Sequence, residues 1–306
     1  MSSLILSPGM LWPAIVRRTT QALECGALFP IETISMTVED GGVRFIVRRV
    51  SSLARKAQKR SSHSVPPVDP FLPYDPGLFV ADVSKTHVAL LNKFNVIEHH
   101  LLIVTRAFEE QEELLDIHDF TALFACLAEF EGLGFYNGGV QAGASQRHKH
   151  MQIVPLPLDP TGTGKPSLPI DPLIETSAAP HGSDVVELAG LRFRHAFARL
   201  APASTPAAAA YAALAAYRRL MNALGLAPAI SGGRPARQAG PYNMLLTPRW
   251  MLLAPRKAEH AEGISVNALG FAGSLFVRDY AQMATVRRVG PMTLLEQVAM
   301  PRATTP

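Results

Sequence analysis

At 306 residues the chain is long enough for one large domain or two modest ones with a real core. Its content of 48% hydrophobic and 18% charged residues suits a globular protein, and no apolar run is long enough to span a bilayer. Net charge is +4; the two cysteines, Cys25 and Cys126, lie in unrelated contexts, and no leader-like cleavage pattern opens the chain. A disulfide scaffold, a cysteine-ligated metal site and a secretory signal are therefore not expected, and a reducing cytoplasm is.

In chain order, Leu11, Ile15, Leu23 and Leu28 predict a helix within residues 10–28, with Pro13 near its start. Ile34–Val38 and Val43–Val50 alternate as strands around Glu39-Asp40-Gly41-Gly42, a hairpin signal. From Gly41 to Val68 there is no acidic residue, and seven Lys or Arg occur: Arg44, Arg48, Arg49, Arg55, Lys56, Lys59 and Arg60. Such a block suits a bound polyanion or a solvated basic loop. Phe45 is its one aromatic, which argues against single-stranded nucleic acid. Residues 61–77, rich in Ser and Pro, read as loop.

Phe79–Val83, His87–Leu91 and His100–Thr105 read as three strands. Glu109–Asp116, polar on all sides, predicts a solvated helix start. Asp119 is then the expected N-cap of a helix through Phe120, Leu123, Phe124 and Leu127, stopped by Gly132 and Gly134 and packed under the sheet. Pro155 to Ser183 reads as a crossing segment in which His181 is inert. Leu191–Leu200 suggests a strand, and Ala207–Leu224 an alanine-rich helix ending at Gly225. Ser231–Pro235 is expected as loop, Tyr242–Thr247 and Trp250–Pro255 as a hairpin, and Leu275–Val277 as a strand. The division expected is residues 1–180 and 181–306, packed as one unit. Gly162 and Gly164 follow no strand, and Gly164-Lys165 lacks the Walker spacing, so neither a dinucleotide fingerprint nor a P-loop is present.

The chemistry concentrates between Asn137 and Leu158. His148, His150 and Gln152 alternate with Lys149 and Met151, after a turn containing Gly138, Gly139 and Gly143 and before Pro155 and Pro157. In a strand alternate side chains share one face about 7 Å apart, so the three polar groups form a row. Neutral imidazole can attack phosphorus and hold the transferred group covalently. Backbone N–H groups of a glycine-rich turn can stabilise the equatorial oxygens. An edge strand with solvent-facing histidines is the plain structural alternative.

Residues 135–158 closely resemble the catalytic segment of the ATP adenylyltransferases, or diadenosine tetraphosphate phosphorylases, in the H-x-H-x-Q branch of the histidine-triad superfamily. The resemblance extends to Asn92–His100, Tyr242–Thr247 and Asn267–Gly273. It implies an α+β fold: a histidine-triad-like antiparallel sheet with helices on one side, elaborated by N-terminal and C-terminal extensions. It implies that His150 is the nucleophile, with His148 and Gln152 beside it. Substrate contacts are implied for Asn92, Lys93, His100, Asn137, Gly143, Ala144, Ser145 and Gln146, with Arg147 and Lys149 adding positive charge. Asn92 would meet the ribose, and Lys56 or another member of the 44–60 block the polyphosphate. Asn243 and Asn267 fall in matching motifs without an assigned role.

The activity so implied is reversible phosphorolysis of diadenosine tetraphosphate to ATP and ADP through an adenylyl-histidine. No covalent cofactor is expected; a divalent cation such as magnesium would accompany the polyphosphate. The partners are small nucleotides and phosphate, without nucleic acid or membrane. Superfamily members often dimerise through a shared sheet; here the longer C-terminal half is expected to cover that surface and leave a monomer. The rival readings are a uridylyltransferase on sugar phosphates, a non-catalytic nucleotide sensor, and a nucleic-acid binder using the basic block.

Overall fold

The computed structural model describes residues 4–50, 69–159, 167–177, 185–228 and 236–302. Lys56 and the rest of the basic block beyond Val50, His181 and Ser231–Pro235 lie outside the described residues.

Helix α1 (Leu11–Glu24) buries Leu11, Ala14, Ile15 and Ala22, the spacing of one helical face. Strands β1 (Thr33–Asp40) and β2 (Val43–Val50) pair antiparallel, Asp40 opposite Val43. Their two-residue turn places Gly41 at φ 60° and Gly42 at φ 79°, a geometry that glycine adopts without strain. Strands β3 (Phe79–Asp82), β4 (His87–Leu91) and β5 (Leu101–Thr105) follow. Helix α2 (Ile117–Leu127) precedes β6 (Gly132–Gly138) and β7 (His150–Pro155). The second half adds α3 (Asp171–Glu175), β8 (Ala196–Arg199), α4 (Pro206–Ala223), β9 (Tyr242–Thr247) and β10 (Trp250–Pro255). It closes with β11 (His260–Ala261), β12 (Ile264–Ser265), α5 (Ala268–Phe271), β13 (Ser274–Val277), α6 (Tyr280–Val289) and α7 (Pro291–Val298).

One eight-stranded sheet organises the fold, in the order β3-β4-β5-β7-β6-β9-β10-β8, with each neighbouring pair antiparallel. The expected α+β class is what the structure shows, but helices cover both faces rather than one. On one face α1, α2 and α4 pack against Ile103, Met151, Ile153, Tyr136 and Met244. The other face carries a second layer, the sheet β1-β2-β13 with α3 and α5 to α7, packed on Phe135, Val154, Leu245 and Leu252. That layer stops short of β4 and β5, where Phe71 covers Val88, Leu90, Leu102 and Val104 as a separate cluster. The upper cover is therefore divided, and β7 lies between its two parts.

Four local expectations need correction. Residues 109–113 are not a helix start: 109–111 run beside residues 147–149 with Glu110 bridging His148, a turn follows at 111–112, and Gln111 and Leu115 are buried. The N-cap of α2 is Asp116, and Asp119 is the third residue of a reciprocal capping box. Gly132 and Gly134 lie within β6, after α2 has already ended at Ala128. Only Ala196–Arg199 of the 191–200 stretch is strand. Helices α6 and α7 were not anticipated, although Asp279 caps Gln282 N and Pro291 occupies a first turn, both readable start signals.

Candidate active site

His148, His150 and Gln152 share the divided face of the sheet, and all three are buried, at 2%, 5% and 8% exposure. Strand alternation puts them there, and the gap between the two upper layers leaves them uncovered by bulk apolar packing. Phe71 lies against the first two, its ring 5.6 Å from that of His148 and 5.3 Å from that of His150.

The hydrogen bonds fix which nitrogen of the His150 ring carries the proton. His150 Nδ1 donates to the His148 carbonyl at 2.8 Å, so the ring's lone pair sits on Nε2. Nε2 has no hydrogen bond among the described residues. Desolvation holds the His150 pKa down at about 4, with the His148 ring adding to the effect against the pull of the carbonyl bond. His150 is thus a neutral imidazole with a fixed tautomer at neutral pH. His148 is held at both nitrogens: Nδ1 lies 2.8 Å from Asp69 Oδ2, and Nε2 lies 2.8 and 2.9 Å from the Thr105 carbonyl and hydroxyl oxygens.

Gln152 is oriented by a relay. Phe94 N donates to Asn92 Oδ1 at 3.4 Å, which directs Asn92 Nδ2 to His100 Nδ1 at 3.1 Å. His100 must then carry its proton on Nε2, which donates to Gln152 Oε1 at 2.9 Å. Burial keeps His100 neutral, with a pKa of about 4. The remaining polar end of Gln152 is its NH₂, a pure donor. His100 therefore lies beside the row, bonded to its third member, and Asn92 reaches the row only through His100.

The glycine turn is held by the second half of the chain. Gly143 has φ 88°, and a Cβ there would lie 3.1 Å from Asn267 Cα, so both backbone angle and space require glycine. Asn243 Nδ2 donates to Ala142 O and to Asn137 Oδ1, both at 2.8 Å. Ala268 N donates to the same Asn137 oxygen at 2.9 Å, while Asn267 caps α5 through Leu269 N. Buried Arg256 donates to Asn243 Oδ1 and lies over the Phe271 ring; desolvation lowers its pKa to about 10. Asn243 thus holds the turn directly, and Asn267 starts the helix that lies against Gly143. The N–H groups of Gly143 and Ala144 close the turn itself, on Val140 O and Gly139 O. Those of Ser145 and Gln146 have no acceptor among the described residues.

Several cations near the row are already paired with protein groups. Lys149, between the two histidines, projects to the opposite face by the same alternation and pairs with Glu109 and Asp119. Burial alone would raise the Asp119 pKa, but His87 and Lys149 outweigh it and hold the carboxyl low. Arg147 pairs with Glu110 at the surface, and Lys93 lies 3.8 Å from Asp75 beside Phe29. Arg48 is buried on the Ser274 hydroxyl and the Leu158 carbonyl, Arg49 covers Tyr280, and Arg44 faces Asp159. An open groove of about 530 Å³ lies between Gly139–Gln141 and Gln238–Pro241, behind the glycine turn and not over His150.

Residues that sequence reasoning missed are Asp69, Thr105, Gln111 and Arg256. Gln111 has the largest effect on the backbone: its side chain accepts from His150 N at 2.9 Å and donates to Asn137 O and His150 O at 3.0 and 3.2 Å.

Residues 1–176 match the Ap4A phosphorylase N-terminal domain, and residues 189–301 match the ATP adenylyltransferase C-terminal domain. Saccharomyces cerevisiae Diadenosine 5',5'''-P1,P4-tetraphosphate phosphorylase 2 is 28% identical over 254 residues, covering 74% of each chain. Protein APA1 of the same yeast is 24% identical over 211 residues, covering 64% of this chain and 63% of that one. The crystal structure of yeast Ap4A phosphorylase Apa2 superposes with a TM-score of 0.78 at 23% identity, covering 99% of this chain and 98% of that one. Its complex with Ap4A gives 0.75 at 21% identity, covering 98% and 99%. With both halves matched in order, the chain belongs to the Ap4A phosphorylase and ATP adenylyltransferase family.

Proposed function

We propose that the chain transfers an adenylyl group from diadenosine tetraphosphate to inorganic phosphate through a covalent intermediate on His150. The nucleotidyl transfer itself follows from the family. The observation that carries the covalent route is the His150 ring, buried, neutral and locked with Nε2 unprotonated.

The chemistry balances without a protein acid. His150 Nε2 bonds to the α-phosphorus, the bond from that phosphorus to the bridging oxygen breaks, and ATP leaves as an anion. The ring becomes cationic while keeping its Nδ1 proton, and the His148 carbonyl stabilises that charge. Phosphate then attacks, ADP leaves, and neutral His150 returns; the reverse makes the dinucleotide from ATP and ADP. The Gln152 NH₂ is available to the transferring oxygens, as are the open N–H groups of Ser145 and Gln146. Asn137 supports the turn through its oxygen, which leaves its amide nitrogen for a phosphate oxygen. In this reading Lys56 or another member of the 44–60 block binds the polyphosphate, and a divalent cation such as magnesium accompanies it.

The substrate assay is direct. With diadenosine tetraphosphate and phosphate, ATP and ADP should appear in equal amounts; without phosphate, ATP should stop at about one equivalent per enzyme. AMP as the main product in phosphate buffer would make the protein a hydrolase.

The same reading takes the protein as a cytoplasmic monomer. The edge of β6 is already paired by β9 of its own chain, which supports that state. Among the described residues no helix is long and apolar enough to cross a membrane. Sedimentation equilibrium should give the monomer mass; a dimer at assay concentration would contradict it.

A further inference from the structure

Strands β6 and β7 pair over a short stretch only, from Gly132 opposite Pro155 to Phe135 opposite Gln152. Two residues further on, the register would bring Asn137 opposite His150. The backbones separate there, and the Gln111 carboxamide fills the gap. Its Oε1 accepts from His150 N at 2.9 Å, and its Nε2 donates to His150 O at 3.2 Å and to Asn137 O at 3.0 Å. The side chain thus pairs with His150 as one residue of a neighbouring strand would, giving both a donor and an acceptor.

Gln111 is itself anchored. It is 3% exposed, its N donates to Arg147 O at 2.6 Å, and the Tyr136 hydroxyl donates to its carbonyl. Beyond the gap β6 runs into Gly138 and the turn that Asn243 holds through Ala142 O. The separation of the strands is thereby the separation of the nucleophile from the glycine turn.

We infer that Gln111 is a positioning residue for adenylyl transfer: its carboxamide replaces a missing strand pairing and sets His150 at the distance from the glycine turn that a phosphoryl group needs. The inference rests on His150 as the nucleophile. An amide is suited to the task because it offers two N–H donors to two carbonyls and one oxygen to one N–H. A carboxylate of the same shape would turn an acceptor toward two carbonyl oxygens. Burial and those oxygens would raise its pKa, and protonation would restore one donor. The titratable and charged groups around the position are the Tyr136 phenol on β6, His150 on β7, His148 and Arg147 just before it, and the neighbouring Glu110, Glu112 and Glu113. His150 stays neutral to about its pKa of 4, so pH can be lowered without disarming the nucleophile.

The test measures label transfer from adenine-labelled diadenosine tetraphosphate to the protein in a single turnover without phosphate, across pH, for wild type, Gln111→Met and Gln111→Glu. Gln111→Met should transfer label on the order of 100-fold more slowly, the expected effect of an ångström-scale misplacement. Its KM for the dinucleotide should stay within about threefold, because binding contacts are unchanged. Gln111→Glu should be equally slow at pH 8 and regain at least about tenfold by pH 6, a rise that wild type lacks, as its carboxyl protonates. If Gln111→Met folds poorly, the pH recovery of Gln111→Glu decides, being a comparison within one protein. Gln111→Met labelling at nearly the wild-type rate, or a Gln111→Glu profile parallel to wild type, would overturn the inference while leaving His150 as nucleophile. Absence of label on wild type itself would remove both.

Discussion

Replacing His150 with alanine should lower kcat for diadenosine tetraphosphate by at least about 10⁴-fold, the scale on which covalent nucleophiles act. KM should change far less, because no structural feature gives His150 a role in holding the substrate's distal phosphates. The variant should fold: among the described residues the ring's one hydrogen bond is to the His148 carbonyl, and the backbone at 150 is held by Gln111 and not by its own side chain. In wild type the pH dependence of adenylyl transfer follows from the same burial. An ordinary histidine would be half protonated near pH 6.5 and half inactive there. With the His150 pKa at about 4, the neutral, reactive form persists, so the single-turnover rate should stay level from about pH 8 to about pH 5 and fall below that. A half-loss centred near pH 6.5 would show that the reacting imidazole is solvated.

The second large effect is on the fate of the intermediate. Gln152 presents an NH₂ toward the row because its oxygen is taken by His100. An amide can donate a hydrogen bond but cannot accept a proton at neutral pH. Phosphate, already an anion, needs no base to attack, whereas water must lose a proton as it does so. The adenylyl-histidine should therefore wait for phosphate. A histidine at position 152 can take that proton, and general-base assistance is worth about 10²–10⁴-fold. Gln152→His should accordingly raise the ratio of AMP to ADP by at least about tenfold at fixed phosphate, by that principle. Chromatographic separation of the products measures it. An unchanged ratio would mean that water is excluded by shape and not by the lack of a base.

The row was visible in sequence because a period of two in polarity is a local property, and β7 keeps it. The same period places Lys149 on the far face, and residue-by-residue counting of positive charge near the histidines missed that. Gln111 was hidden by its neighbours. Four glutamates around it mark the stretch as solvated, while its role arises from two strands parting elsewhere in the chain. Asp69 and Arg256 were hidden for a related reason: each acts across long separations, 79 residues from Asp69 to His148 and 13 from Arg256 to an asparagine that itself reaches 106 residues to Asn137. The resemblance pointed at Asn243 and Asn267, but only the structure shows that Asn243 braces the glycine turn and that Asn267 caps the helix beside it. The α+β class was implied by the resemblance, and the alternating strands and the alanine-rich helix agree with it. The second upper layer was not, since it depends on β13 joining β2 in parallel across the length of the chain.

The central claim is that His150 carries the adenylyl group. It is tested most directly by incubating the protein with diadenosine tetraphosphate without phosphate, then weighing the intact protein and mapping its peptides. The account predicts a mass increase of one adenylyl group, located on His150 Nε2, stable to base, released by acid and discharged as ADP on adding phosphate. A protein that turns over substrate with no mass increase, or that carries the adenylyl group on another residue, would contradict it.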